Sequence, residues 1–299
     1  MQSSPSLQPP KTPYRGRFAP SPTGPLHFGS LVAALGSYAE AKAQSGEWRL
    51  RMEDLDRPRE VPGASRAILT TLEAFGFAWD GPILYQSRRT EAYAAALDHL
   101  NAQGLLYACG CSRREIAMAS IQGPEGPLYP GTCRAITTRN PGTQAIRLRV
   151  EVSPISFRDE VQGLVTQNLM TEVGDFILRR ADGLHAYQLA VVVDDAYQGI
   201  SHVVRGADLT RSTPRQMLLQ QYLGLPTPSY AHLPLVMDSE GRKLSKSDAA
   251  TPVDPRNPVP TLLQAWAFLG QPAFAEPPRN LAEFWSLAMA SWCLARVPA

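Results

Sequence analysis

The chain has no excess of one charge: 29 Lys plus Arg face 27 Asp plus Glu, and 29 − 27 = +2. No strong global field draws it to nucleic acid or membrane, so any RNA-binding surface must be local. It also lacks a long apolar run. The longest pure aliphatic stretch, Leu189 to Val193, stops at Asp194, far short of the ~20 residues of a membrane span. The first thirteen residues hold four prolines and no apolar core, which reads as a disordered tail over 1–13 and not a signal peptide. Cysteine is scarce: of four, Cys109, Cys111 and Cys133 fall within one 25-residue window. That distribution excludes a secreted disulfide framework and leaves metal ligands or plain thiols. The expectation is a cytoplasmic protein with no membrane contact.

What is present is a globular composition, 44% apolar with only 19% charged residues, over 299 residues. That length predicts one large α/β domain with an insertion, or two domains. Tyr14 to Ala19 reads as a strand, and Pro20-Ser21-Pro22-Thr23-Gly24-Pro25 can continue neither strand nor helix. From Ser30, a reasonable N-cap, the spacing of Leu31, Leu35 and Tyr38 is helical, and Trp48 to Glu53 alternates as a strand does. Strand, loop, helix and strand make a βαβ unit. Helices are predicted around Ser65–Phe75 and Glu91–Gln103, the latter capped by Gly104. From Cys109 to about residue 160 the rhythm breaks, and alternating Ile146–Val150 suggests a small inserted sheet. Asp182-Gly183 signals a hairpin turn. Leu189–Val193 reads as a strand buried on both faces, His202–Arg205 as its partner, and Leu233–Met237 as a further strand. Arg215–Leu223 has helical character, and Pro252–Pro260 leads into a helical tail from Thr261. The fold class expected is α/β: a Rossmann-like parallel sheet, an inserted small zinc-containing α+β subdomain and a short helical C-terminal region. The boundaries are 14–108 and 187–250 for the two halves of a nucleotide-binding catalytic domain, 109–186 for the insertion and 251–299 for the tail.

Ligands of open α/β sheets bind beyond the carboxyl ends of the strands. Those positions carry Arg17 and the Pro-Ser-Pro-Thr-Gly loop, then Glu53, Asp54 and Asp56, and finally Asp194, Asp195 and Arg205. Charges of both signs in one crevice suit a zwitterion such as an amino acid, its ammonium on a carboxylate and its carboxylates on arginines. His27-Phe28-Gly29-Ser30 enters a helix, where backbone N–H groups and an imidazole form an anion site. Lys243-Leu244-Ser245-Lys246-Ser247 offers two ammonium groups and two hydroxyls that could clamp a polyphosphate leaving group.

Together, in this order and some 216 residues apart, these two segments resemble the signature sequences of class I aminoacyl-tRNA synthetases. The surrounding Arg17-Phe18-Ala19-Pro20-Ser21-Pro22-Thr23-Gly24, Arg51-Met52-Glu53-Asp54-Leu55-Asp56, Val192-Val193-Asp194-Asp195 and Val204-Arg205-Gly206-Ala207-Asp208 resemble the glutamyl branch, over roughly residues 14 to 250. The resemblance implies that Arg17, Phe18, Ala19, Pro20 and Ser21, with Glu53, Tyr187 and Arg205, bind L-glutamate. Glu53 would take the amino group, and Arg17, Ser21, Tyr187 and Arg205 the two carboxylates, with Arg17 assigned to the side chain. It implies too that His27, Gly29, Ser30 and Lys246 bind ATP with Mg²⁺, and that His27, Lys243 and Lys246 are catalytic. Ser30 stands where many class I enzymes have a second histidine.

About fifty residues follow Ser247, where full glutamyl-tRNA synthetases continue into an anticodon-gripping helical domain. With the cysteine pattern, this resembles the stand-alone paralogues of that branch. These activate glutamate without tRNA and attach it to queuosine in the anticodon loop of tRNA(Asp). Cys109-Gly110-Cys111 and Cys133 supply three soft ligands where zinc wants four, and no further Cys or His is near. The paralogues' pattern implies Tyr129 as the fourth ligand of one structural Zn²⁺, with Glu125 as the fallback. Cys293, alone in the tail, is expected to be inert, and the protein to be a monomer. The alternatives are a truncated glutamyl-tRNA synthetase charging the tRNA 3′ end, a class I-like nucleotidyltransferase with a small acceptor, and an inactive tRNA-binding paralogue. Arg211 and Arg215 are candidate phosphate contacts, though a charge pair beside a helix is usually only solvated.

Overall fold

The computed structural model describes residues 13–135, 144–152, 154–237 and 251–299. Its first half is the expected βαβ pattern. β1 (Arg15–Phe18), β2 (Glu47–Met52) and β3 (Leu84–Tyr85) form a parallel sheet in that order, joined through α1 (Phe28–Ala43) and α2 (Ala64–Ala74). α3 (Thr90–Ala102) then leads to β4 (Leu106–Cys109), and α4 (Arg113–Ala119) to the hairpin β5 (Ile121–Gly123) and β6 (Gly126–Leu128). β7 (Ala145–Leu148) lies between β4 and a later strand in a small antiparallel sheet.

The second half departs from an all-parallel sheet. β8 (Ile155–Asp159) and β9 (Gly163–Gln167) form an antiparallel pair, followed by α5 (Leu169–Glu172) and β10 (Ile177–Arg179), the strand that completes the β10-β7-β4 sheet. α6 (Tyr187–Tyr197), β11 (His202–Gly206), α7 (Thr213–Leu223) and β12 (Ser229–Leu233) come next. β11 and β12 are parallel, but β12 also takes β8 as a neighbour, so the sheet runs β11-β12-β8-β9 and is mixed. Part of the span read as an insertion therefore extends the same sheet as β11. β1 lies alongside β11: the Ser201 N–H donates to the Arg15 carbonyl at 3.0 Å, and the Tyr14 ring stacks on His202 at 4.0 Å.

Three expectations are corrected. Leu189–Val193 is not a strand but the middle of α6, whose Leu189, Ala190, Val191, Val192, Asp194 and Asp195 are all buried. A continuous apolar run means burial on all sides, which a helix sandwiched between elements satisfies as well as a strand does. The last strand ends at Leu233 instead of starting there. The N-cap of α1 is His27, not Ser30: the imidazole accepts the Ser30 N–H at 3.4 Å, and Ser30 sits in the first turn with its hydroxyl 3.0 Å from His27 Nε2. The Asp182-Gly183 turn forms, with Gly183 at φ +87°. Its return arm makes one bridge, Arg179 to His185, before α6 begins.

The two larger hydrophobic cores among the described residues flank the sheets. One joins α1, β2 and α2 to the C-terminal helices α8 (Pro258–Phe268) and α9 (Leu281–Ser291), around Leu31, Leu35, Trp48, Phe75, Trp266 and Phe284. The other packs α3 against α6 and α7 through Tyr93, Leu97, Leu189, Val192 and Leu218. Each such side chain contributes about 1.5–3 kcal/mol on burial. α1 approaches β12 so closely that a Cβ on Gly36 would meet Leu233 Cδ1 at 2.6 Å. Trp292 Nε1 donates to Glu40 at 2.7 Å and Trp285 Nε1 to the Phe75 carbonyl at 3.0 Å, tying the C-terminal residues to α1 and to the end of α2. Among the described residues no helix is long and apolar enough to cross a membrane.

Candidate active site

The carboxyl ends of β1, β2, β11 and β12 and the N-termini of α1 and α6 open onto one cleft of about 480 Å³. Arg17, Phe18, Ala19, Pro20, Ser21, Glu53, Tyr187 and Arg205 line it together with His27, Gly29 and Ser30, so the described residues expected for glutamate and for ATP meet in one place. Lys243 and Lys246 lie outside the described residues. Val236 and Pro252, on either side of the segment that carries them, both adjoin the His27 turn: Val236 lines the cleft and Pro252 pairs with His27.

The floor of the cleft is an alternating chain of charges. Arg51, completely buried, reaches Glu53 at 3.3 Å with Nη2 and Asp195 at 2.7 Å with Nη1. Asp195 in turn accepts from Arg17 Nε at 3.3 Å. Asp195 is on a helix, not at a strand end as expected, and α6 carries it over the face of β1 and β2 from which Arg17 and Arg51 project. Burial pushes the Asp195 carboxyl up, but the guanidinium groups of Arg51 and Arg17 outweigh it and hold the group below the ordinary carboxylate range. Glu53 differs in sign. Burial pushes it up, and Arg51 and Arg17 only partly pull it back, so Glu53 is a carboxylate short of positive charge and receptive to an ammonium.

Arg205, also buried, is held by many acceptors. Nε donates to His232 Nε2 at 3.0 Å, Nη2 to Thr213 Oγ1 and Gln216 Oε1 at 2.8 Å each, and Nη1 to the Tyr187 hydroxyl at 3.4 Å. Burial raises the Tyr187 phenol, with Arg205 opposing, so it stays a neutral donor. His27 and the first N–H groups of α1 close the other end. No acidic side chain occupies that first turn, which leaves the positive end of the helix dipole uncompensated. A Cβ on Gly29 would sit 3.3 Å from the His27 ring and 3.8 Å from Val236, so glycine keeps this approach open.

The neighbouring Asp194 is completely buried and serves packing: it accepts from Tyr93, Gln86 and Arg89 at 2.6, 2.9 and 3.0 Å, clamping α6 to the start of α3. Arg51, Asp159, His232, Thr213 and Gln216 were missed by sequence reasoning. The alternation of β2 did place Arg51 on the Glu53 face. The other four show no local signal, because their partners lie on other elements.

Away from the cleft, Cys109, Cys111 and Cys133 bring their Sγ atoms within 4.8 Å of one another, a group among the described residues able to hold a metal ion. The Tyr129 hydroxyl stands among them, 3.3 Å from Cys109 Sγ and 3.7 Å from Cys111 Sγ. Zn–S bonds of about 2.3 Å place tetrahedral donors about 3.8 Å apart, so three thiols and one phenol oxygen fit a zinc ion. The Arg147 guanidinium lies 3.7 Å over the Tyr129 ring, while burial and hydrogen bonds to the neighbouring thiols raise the phenol. Burial raises the Cys133 thiol, but hydrogen bonds from Tyr129 and Cys111 prevail and lower it. Glu125 is excluded as fallback: its carboxylate is engaged by Arg215 at 2.6 Å and by Gln167 at 2.5 Å. Arg211 likewise pairs with Glu172 at 3.0 Å, so both arginines considered for phosphate contact carry carboxylate partners.

Residues 14–258 match the family of tRNA synthetases class I (E and Q), catalytic domain. The chain is 56% identical over 292 residues to the glutamyl-Q tRNA(Asp) synthetase of Dechloromonas aromatica, covering 96% of each chain. It is 57% identical over 270 residues to that of Xanthomonas campestris pv. campestris, covering 89% of this chain and 87% of the relative. Among solved structures, the glutamate-tRNA synthetase from Elizabethkingia anophelis matches with a TM-score of 0.80 at 26% identity, over 96% of this chain and 67% of that one. A family match over residues 14–258 and identity above one half along nearly the whole chain lead to one assignment: the chain belongs to the class I (E and Q) tRNA synthetases and, within them, to the glutamyl-Q tRNA(Asp) synthetases.

Proposed function

We propose that this protein activates L-glutamate with ATP in the absence of tRNA and transfers it to queuosine in the anticodon loop of queuosine-modified tRNA(Asp). The observation that carries the reading is the single cleft that collects Glu53, Arg17 and Arg205 beside the N-terminus of α1. In the first step a glutamate α-carboxylate oxygen attacks the α-phosphorus of ATP, the bond to the bridging oxygen breaks, and pyrophosphate leaves with Mg²⁺. Glu53 takes the ammonium of glutamate. Arg17, Ser21, Tyr187 and Arg205 hold its carboxylates, with Arg17 on the side chain, where its unused Nη2 can face the ligand. His27, Gly29 and Ser30, at the start of α1, receive the phosphates, and Lys243 and Lys246 neutralise charge on the leaving pyrophosphate. In the second step a hydroxyl of the modified base attacks the activated carbonyl and expels AMP.

A zinc ion on Cys109, Cys111, Tyr129 and Cys133 would cross-link β4 to the loop after β6. Its contribution is structural, since none of the four residues lines the cleft. In this reading residues 14–108 and 187–250 are the two halves of the catalytic unit, 109–186 an insertion, and 251–299 a helical buttress. The protein acts as a cytoplasmic monomer.

The test is ATP–pyrophosphate exchange with purified protein and no tRNA. Exchange with glutamate, and not with aspartate or glutamine, is expected, followed by transfer of label to tRNA(Asp) only when it carries queuosine. Exchange that appears only on adding tRNA, with label on the terminal ribose, would establish a charging enzyme instead.

A further inference from the structure

Three neighbouring strands deliver three side chains to one face of the mixed sheet. Arg205 on β11 and His232 on β12 are register partners, and Asp159 closes β8 beside them, paired with Tyr230. His232 is completely buried and Asp159 is 2% exposed, so water does not compete for their hydrogen bonds. Asp159 Oδ2 lies 2.6 Å from His232 Nδ1. Its Oδ1 accepts the backbone N–H groups of Val161, Gln162 and His232 at 3.0, 2.8 and 3.1 Å. A carboxylate so surrounded by donors is an acceptor, which requires the imidazole proton to sit on Nδ1. Nε2 then presents a lone pair, and Arg205 Nε donates to it at 3.0 Å.

The donors of Arg205 can be counted from there. Nε is spent on His232, and both Nη2 hydrogens on Thr213 and Gln216. One Nη1 hydrogen points at the Tyr187 oxygen, which leaves the other, with the Tyr187 O–H, for a ligand in the cleft. This guanidinium cannot swing. Its usable edge has one direction, and that direction is set from behind by the imidazole.

We propose that Asp159 and His232 are positioning residues for amino-acid selection: the pair fixes the His232 tautomer, the tautomer fixes the plane of Arg205, and that plane sets how far into the cleft a carboxylate must reach. The inference rests on the reading of Arg205 as a glutamate ligand. A rigid receptor of this kind discriminates by length: with the α-carboxylate on Arg205 and the ammonium on Glu53 the Cα is pinned, and aspartate, one methylene shorter, cannot also reach Arg17. Burial lowers His232, with Asp159 pulling the other way. A neutral ring is the one state that accepts from Arg205, since a second ring proton would oppose Nε–H.

The experiment compares Arg205→Ala, His232→Leu, His232→Gln and Asp159→Asn in glutamate-dependent ATP–pyrophosphate exchange, with KM for glutamate and ATP, the glutamate-over-aspartate ratio, and circular dichroism for each. His232→Leu is expected to raise KM for glutamate about tenfold or more, the scale of one misdirected charge-assisted hydrogen bond, with KM for ATP within about twofold. The glutamate-over-aspartate ratio should fall with it. His232→Gln, whose amide offers one acceptor to Arg205 and one donor to Asp159, should recover most of the loss, and Asp159→Asn should fall between them. If Arg205→Ala raises KM for glutamate while a folded His232→Leu or Asp159→Asn leaves it unchanged, the positioning role is overturned. Equal rises for ATP and glutamate overturn it too, as would be expected of a merely structural pair. Should His232→Leu not fold, His232→Gln and Asp159→Asn decide alone: unchanged selectivity in Asp159→Asn refutes the pair. An unchanged KM in Arg205→Ala would instead sink the underlying reading of Arg205.

Discussion

Replacing Asp195 by Ala should be among the most costly single changes in this molecule. Its Oδ1 serves Arg51 at 2.7 Å and Arg17 at 3.3 Å, and the exposures of the three side chains are 7%, 0% and 4%. Without it the carboxylate in contact with the pair of buried guanidinium groups is Glu53, which meets Arg51 at a longer 3.3 Å. Breaking a buried pair by removing one partner costs about 3–5 kcal/mol, because the remaining charge is left uncompensated in a poorly solvated site. With a urea slope of about 3 kcal/mol per molar for a chain of this size, the unfolding midpoint should fall by roughly 1–1.7 M. The sign with pH follows from the depressed Asp195 carboxyl. Its contribution is complete above the unfolded-state value, about 3.9, and is lost as pH falls through the lower folded value. The difference between parent and variant should therefore be full at pH 7 and shrink in strong acid. Asp195→Asn, which keeps an acceptor and loses the charge, should lose less. In exchange assays both variants should raise KM for glutamate, because Arg17 Nε loses its anchor. A midpoint for Asp195→Ala within about 0.3 M of the parent at pH 7 would refute the claim that this chain of charges holds the two sheet arginines in place.

Glu53→Gln should abolish glutamate-dependent exchange while ATP still binds. Because burial raises this carboxyl in the folded protein, its ionised form costs stability as pH rises, so by calorimetry the variant should melt no lower than the parent at pH 7; a lower melting point refutes the electrostatic assignment. Asp194→Ala should lower the urea midpoint through loss of three buried hydrogen bonds, about 1–3 kcal/mol for each stranded donor, yet a folded sample should keep its KM for glutamate; a selective rise would place Asp194 in the site. Elemental analysis should find about one zinc per chain, Cys133→Ser should lose it, and Tyr129→Phe should bind it more weakly, as expected when zinc keeps three of four donors. Equal zinc content in Tyr129→Phe and parent would remove the phenol from the ligand set.

The sequence speaks most clearly where chemistry is local. The βαβ start and the Glu53 strand end follow from spacing and alternation, and so does the helix entered through His27, because hydrophobic period and loop chemistry act over a few residues. The lining of the cleft follows from motifs that sit on those strand ends. α6 shows the limit. Three consecutive valines favour a strand, yet the helix runs on through Asp194 and Asp195 to Tyr197 because packing against α3 and α7 decides the matter, overriding propensity. The chain of charges beneath the cleft is invisible for the same reason, since Arg51 and Asp195 are 144 residues apart. Glu125, a plausible ligand by proximity along the chain, is claimed by Arg215 from 90 residues away. Three cysteines could be grouped from spacing alone; the pairing of Asp159 with His232, 73 residues apart, could not.

The placement of tryptophan has a spectroscopic consequence. All five, Trp48, Trp79, Trp266, Trp285 and Trp292, belong to or pack against the core that joins α1 to the C-terminal helices, and none belongs to the core around α3, α6 and α7. Intrinsic emission is therefore a reporter for one side of the molecule. Quenching or a red shift would announce release of α8 and α9 from α1, and the same signal could stay constant while α6 loosened. Unfolding followed by fluorescence and by far-ultraviolet circular dichroism need not coincide, and the gap between the two curves would measure how tightly the cores are coupled through the shared arginines of β1 and β2.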